Sequence, residues 1–117
     1  MGVILEEIWV YPIKSLPGLS VKTWEVVNTG LQFDRQWMLI DQEGQFLSQR
    51  RLSVMARLAT AITNDRHLKI SAMGLSDYFL PLAPTEGHSI RCTIWGDWCT
   101  AWHVSTDADL WFSTALN

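Results

Sequence analysis

Two short stretches hold the residues best suited to chemistry. Lys14 and Ser15 lie between Pro12 and Pro17-Gly18, and Arg35 follows Gly30-Leu31-Gln32-Phe33-Asp34. The prolines restrict the first loop to few backbone shapes, so its donors are partly preorganised. Lysine contributes a point charge, serine a hydroxyl and a backbone N–H, and arginine a planar fork that matches a phosphate with two parallel bonds. If the two stretches meet, they form a small cationic pocket for an anion. Taken singly, each has a plainer reading. A loop lysine is usually solvated, and Asp34-Arg35 can be a surface ion pair of little energetic weight.

Other chemistries find less support. His88, Cys92, Cys99 and His103 form a mirrored H-x3-C, C-x3-H pattern. Residues four apart on a strand are separated by about 13 Å, whereas zinc ligands must converge on one ion, so no metal site is expected. The expected hairpin register puts Cys92 opposite Ala101 and makes Cys92 and Cys99 diagonal neighbours, roughly 7–8 Å apart. They are read as free thiols packed against apolar residues. Glu6 and Glu7 alternate across a strand and cannot work as a paired acid and base. Neither a nucleophile elbow nor a phosphate loop of the Walker kind is present.

Composition sets the frame. The chain has 117 residues, 48% of them hydrophobic and 18% charged, which suits one globular domain with a core. Its net charge of −3 and the lack of a basic cluster beyond Arg50-Arg51 argue against nucleic-acid binding. No stretch is apolar for long enough to span a bilayer as a helix. The opening residues lack the basic start of a secretory signal, so a cytoplasmic protein is expected.

The elements that must position these residues are mostly short strands. Strand composition marks Ile4–Tyr11, Val21–Val27 and Gln36–Ile40, and Asp41-Gln42-Glu43-Gly44 turns the chain back into Gln45–Ser48. A second hairpin pairs Arg57–Thr63 with His67–Ser71 around Asn64-Asp65-Arg66. Tyr78–Leu82 lies between a Met73-Gly74 turn and Pro84. Ser89–Val104 reads as a hairpin with a type II′ turn at Gly96-Asp97, which sets Trp95 opposite Trp98 and Thr93 opposite Thr100, with Trp102 on the same face. The period then becomes helical: Ala108, Trp111, Phe112, Ala115 and Leu116 share one face, with Thr106 as the expected N-cap. The pattern predicts a mainly β, barrel-like domain of antiparallel or mixed short strands with a C-terminal helix. The helix carries no stop signal before Asn117, so it is expected either to continue beyond Leu116 or to cap an open end of the barrel.

These residues also resemble a known family. Trp9-Val10-Tyr11-Pro12-Ile13-Lys14-Ser15 with Gly18, Gly30 through Asp41, Phe46-Leu47-Ser48-Gln49-Arg50, Ile94-Trp95-Gly96-Asp97 and the Asp107–Phe112 segment are similar, in order, to the motifs of the MOSC N-terminal β-barrel domain. The resemblance implies one domain over residues 1–117. In the same polypeptide a MOSC domain would follow, and it would supply the cysteine that ligates molybdenum. It implies a molybdenum-cofactor oxidoreductase that reduces N-hydroxylated compounds. This module would hold part of the molybdopterin through Lys14, Ser15 and Arg35, shape access to it, and be neither catalytic nor cofactor-retaining alone. Arg50 corresponds to a weaker motif position, because Arg51-Leu52 follows where the family usually has proline. The alternative from a different class is a stand-alone, non-catalytic interaction module that docks a partner on the helix face through Trp111 and Phe112.

Overall fold

The computed structural model describes residues 2–83 and 87–117. The turn expected at Pro84 lies outside the described residues. Strands β1 (Ile8–Val10), β2 (Leu19–Val21), β3 (Val26–Val27), β4 (Gly30–Leu31), β5 (Ala59–Ile62), β6 (His67–Ser71), β7 (Tyr78–Pro81), β8 (Ser89–Ile94) and β9 (Asp97–Trp102) are joined by a 3-10 turn at Ser53–Arg57 and closed by helix α1 (Thr106–Ala115). The fold is mainly β with one C-terminal helix, as the periodicity predicts.

The strands do not close into one barrel. Among the described residues they form four small sheets: β1-β2, β3-β4, β5-β6-β7 and β8-β9. Isolated bridges stitch these together, Ile13 beside Trp37, Ile40 beside Phe46, and Gln45 beside Thr93. The core collects where the β5-β6-β7 meander meets the proline-bracketed loop and the helix. Leu68 and Ile70 point inward from β6 at the two-residue strand period and are fully buried with Ile13, Leu16, Met55, Leu80 and Phe112.

Several expectations are refined. The first strand is confined to Ile8–Val10, and residues 2–7 are mostly exposed. The run Val21–Val27 breaks in the middle, where the chain bends at Lys22 and Thr23 and the Trp24 indole donates to the Gln32 carbonyl at 2.7 Å. Gln36–Ile40 contributes only bridges, though its return through Asp41–Gly44 occurs, with the Leu47 N–H donating to the Leu39 carbonyl. The Ala59–Ser71 hairpin and the Tyr78 strand form as expected.

The β8-β9 register is a correction. Its two-residue turn is Trp95-Gly96, with φ of 50° and 87°, and Ile94 pairs with Asp97. Both central residues have positive φ, so the turn is type I′, with Gly96 second rather than first. Moving the turn by one residue shifts every cross-strand partner by two. Faces are therefore preserved and partners are not. Cys92 pairs with Cys99, and Thr93 pairs with Trp98.

The helix cap is also corrected. Ser105, not Thr106, is the N-cap: its backbone is extended and its hydroxyl accepts the Ala108 N–H at 3.1 Å. Ala108 and Phe112 are buried, and Trp111, Ala115 and Leu116 pack against the core. The Trp111 indole donates to the Ser76 carbonyl at 2.9 Å. The helical stripe thus covers this domain's own sheet, and the docking reading finds its anchor rings already engaged.

Candidate anion site

The two stretches singled out by their chemistry lie side by side. Residues 11–14 and 35–37 run parallel: Arg35 donates its backbone N–H to the Tyr11 carbonyl at 2.6 Å, Trp37 to Pro12 at 3.0 Å, and Lys14 to Trp37 at 2.8 Å. Ile13 and Leu16, each 1% exposed, anchor the loop in the core and leave Lys14 and Ser15 at its outer side.

Each charged head rests on an aromatic ring. The Arg35 guanidinium lies 4.7 Å from the centre of the Tyr11 ring and pairs with Asp34 at 2.6 Å. The other Asp34 carboxylate oxygen accepts the Tyr11 N–H at 2.8 Å, so a single carboxylate fixes both the backbone and the cation. The arginine remains 56% exposed, which leaves most of its fork available. Lys14 Nζ lies 5.0 Å from the centre of the Phe46 ring and makes no ion pair among the described residues. Phe46 in turn meets Trp95 edge-on at 5.8 Å, and Arg50 lies 5.8 Å over Trp95. The structure brings the two backbones together and sends the two cationic heads to different rings.

Backbone strain falls on the same residues. Ser15 and Arg35 have φ of 69° and 48°. A non-glycine residue in this region costs about 1–2 kcal/mol and persists only where the surrounding structure over-determines it; Phe33, Arg66 and Trp95 share this conformation. Sequence reasoning missed what holds Ser15 there. The Gln49 N–H donates to the Ser15 hydroxyl at 3.2 Å, and the Gln49 side-chain amide donates to the Ser15 carbonyl at 2.8 Å. The partners are 34 residues apart, and no local spacing announces such a contact. Tyr11 and Phe46 were also missed as cation platforms. No local spacing links Tyr11 to Arg35 or Phe46 to Lys14.

Elsewhere, a shallow depression of 450 Å³ between β7 and the helix is lined by Ser76, Tyr78, Leu110 and Trp111. Lys14, Ser15 and Arg35 do not line it, and it brings no charged pair together. Among the described residues no group of three His, Cys, Asp or Glu is placed to hold a metal ion. His88 and His103 stack at 4.9 Å, and His103 pairs with Asp109 at 2.6 Å. They flank the open end of the hairpin, where the His103 N–H donates to the His88 carbonyl at 2.9 Å, and His103 lies four residues beyond Cys99. No helix among the described residues is long and apolar enough to cross a membrane.

The fold is a small β module in which the segments carrying Lys14, Ser15 and Arg35 lie side by side. The chain belongs to the MOSC N-terminal beta barrel domain family, which it matches over residues 2–117. It is 30% identical over 115 residues to mitochondrial amidoxime-reducing component 1 of Mus musculus, covering 94% of this chain and 34% of that protein. It is 43% identical over 58 residues to a molybdenum cofactor sulfurase of Arabidopsis thaliana, covering 50% of this chain and 7% of that protein. The human molybdenum cofactor sulfurase is 33% identical over 104 residues, 88% of this chain and 11% of its own length. The chain therefore spans about a third of the first relative and about a tenth or less of the sulfurases.

Proposed function

We propose that this chain is the N-terminal module of a molybdenum-cofactor oxidoreductase that reduces N-hydroxylated compounds. In this reading it supplies part of the molybdopterin site to a MOSC domain that follows in the same polypeptide, and it shapes access to that site. The observation that carries the reading is the coincidence of strain and charge: Ser15 and Arg35 both hold left-handed backbone within the segments that flank the unpaired Lys14. A phosphate monoester suits this donor set, since a lysine, an exposed arginine fork and a short strained loop all favour a dianion. In this reading the cysteine that ligates molybdenum belongs to the MOSC domain that follows.

Lys14 and Arg35 would neutralise the phosphate end of the pterin, and Ser15 would orient it through its hydroxyl and N–H. When bound, the cofactor supplies two-electron reduction of an N–O bond. An open surface site with three donors binds weakly without an opposing wall, which supports the view that the module alone neither retains cofactor nor turns over substrate.

The test is metal and pterin content of the full polypeptide purified with Lys14→Ala, Arg35→Ala and the double substitution. Loss of molybdenum and pterin together, with stability lowered by no more than about 1 kcal/mol, is expected. Full cofactor content in the double variant would remove the reading. A change confined to substrate preference would assign the two residues to access rather than binding.

A further inference from the structure

The β8-β9 hairpin carries a feature that the anion site does not use. Cys92 and Cys99 occupy one cross-strand rung, with their sulfurs 3.1 Å apart and both thiols free. Directly opposed strand residues have Cα atoms about 4.5–5.5 Å apart, inside the range a disulfide spans. The two thiols differ in access. Cys92 is 1% exposed, and Cys99 is half-buried. Burial, with the neighbouring Cys99 thiol, pushes the Cys92 thiol up to about 11.

We propose that Cys92 and Cys99 form a redox pair that small-molecule disulfides convert reversibly into a cross-strand disulfide, with Cys99 as the entry thiol. The Cys99 thiolate attacks one sulfur of the small disulfide. The S–S bond breaks, and the departing thiolate takes up a proton. Cys92 then loses its proton and attacks the Cys99 sulfur. The mixed bond breaks, and a second small thiolate leaves and is protonated. Two protein thiols are oxidised and one small disulfide is reduced to two thiols. The second step is intramolecular between sulfurs already in contact, which offsets the small thiolate fraction at Cys92.

The link would have a structural consequence. Thr93, next in β8, donates its N–H to the Gly44 carbonyl at 2.8 Å and accepts the Phe46 N–H at 2.8 Å. A staple at Cys92 stiffens the hairpin beside the contact that places Phe46 under Lys14.

The experiment is titration of the reduced, full polypeptide with oxidised glutathione, read by peptide mass mapping. A Cys92–Cys99 linked peptide, reversed by dithiothreitol and forming faster as pH rises, is expected. Cys92→Ser should instead accumulate roughly tenfold more glutathione adduct at Cys99 than the unaltered protein. Because the buried position tolerates change poorly, Cys99→Ala provides a second arm: phenylarsine oxide, which bridges two adjacent thiols, should bind the unaltered protein and not this variant. A stable glutathione adduct at Cys99 that never resolves, or no reaction at Cys99 at all, would overturn the proposal. These outcomes do not depend on whether Lys14 and Arg35 bind a cofactor.

Discussion

Gln49 grips Ser15 at both ends, its backbone N–H on the serine hydroxyl and its side-chain amide on the serine carbonyl. This clasp holds a left-handed serine in place. Ser15→Gly removes the hydroxyl contact, worth about 0.5–1.5 kcal/mol, and relieves backbone strain of about 1–2 kcal/mol. The two effects nearly cancel, so the urea midpoint is expected to stay almost unchanged while cofactor content falls. A large loss of stability would show that the serine is structural.

Arg35 tests charge against shape. Its ion pair with Asp34 is exposed and contributes little, and its stacking on Tyr11 adds about 0.5–1 kcal/mol. Arg35→Ala should therefore destabilise the fold by at most about 1 kcal/mol in chemical denaturation. Arg35→Lys, which keeps the charge and loses the fork, should retain intermediate molybdenum content.

Gly18 lies against the other side of this arrangement. A Cβ there would lie 2.7 Å from both the Val10 carbonyl oxygen and the Tyr11 ring. The carbonyl belongs to β1 and cannot swing away. Gly18→Ala is expected to cost about 1–3 kcal/mol by overpacking. It should also displace Tyr11 from beneath Arg35, visible as a shifted Tyr11 ring resonance.

Ser48 is 3% exposed, and its hydroxyl has no hydrogen-bond partner among the described residues. Leaving a buried hydroxyl unpaired costs about 1–3 kcal/mol. Ser48→Ala should therefore raise stability, by about 1 kcal/mol in urea denaturation. A fall in stability would reveal a partner that the hydroxyl needs.

Asp41 titrates below the ordinary carboxylate value of 3.8, chiefly because its carboxylate accepts the Gln45 N–H. Partial desolvation opposes this, while Arg51 and the Glu43 N–H assist it. A folded value below the unfolded one stabilises the protein above about pH 4 and is lost as pH falls through the folded value. Asp41→Asn should flatten the pH dependence of the thermal midpoint below pH 4. It should leave the midpoint's slope above about pH 6 unaltered.

The sequence announces elements whose signal is local. Leu68 and Ile70 alternate and are buried, and the Ala108–Leu116 stripe faces the core as its spacing predicts. Polarity alternation assigns a strand's face, but it cannot distinguish partners two residues apart, and so the expected hairpin set Cys92 against Ala101. Trp95 compounded the difficulty, since a bulky residue at φ 50° gives no turn signal of its own. In the N-terminal part the obstacle is distance along the chain. Lys14, Ser15 and Arg35 were identifiable as chemically apt, but the rings and the amide that hold them come from Tyr11, Phe46 and Gln49 through contacts that no local pattern encodes.

The bridge of Ile13 with Trp37 has a dynamic meaning. Segments tied by a few hydrogen bonds at a sheet's margin can open without global unfolding, whereas Leu68 and Ile70 sit within a three-stranded ladder. Amide protons at Lys14, Arg35 and Trp37 should thus exchange with solvent well before those of β6. An anion bound between the two segments would slow that exchange by closing the opening, so ligand and backbone order would rise together. Such a loop would join its charges to a local folding equilibrium that a bound anion could shift.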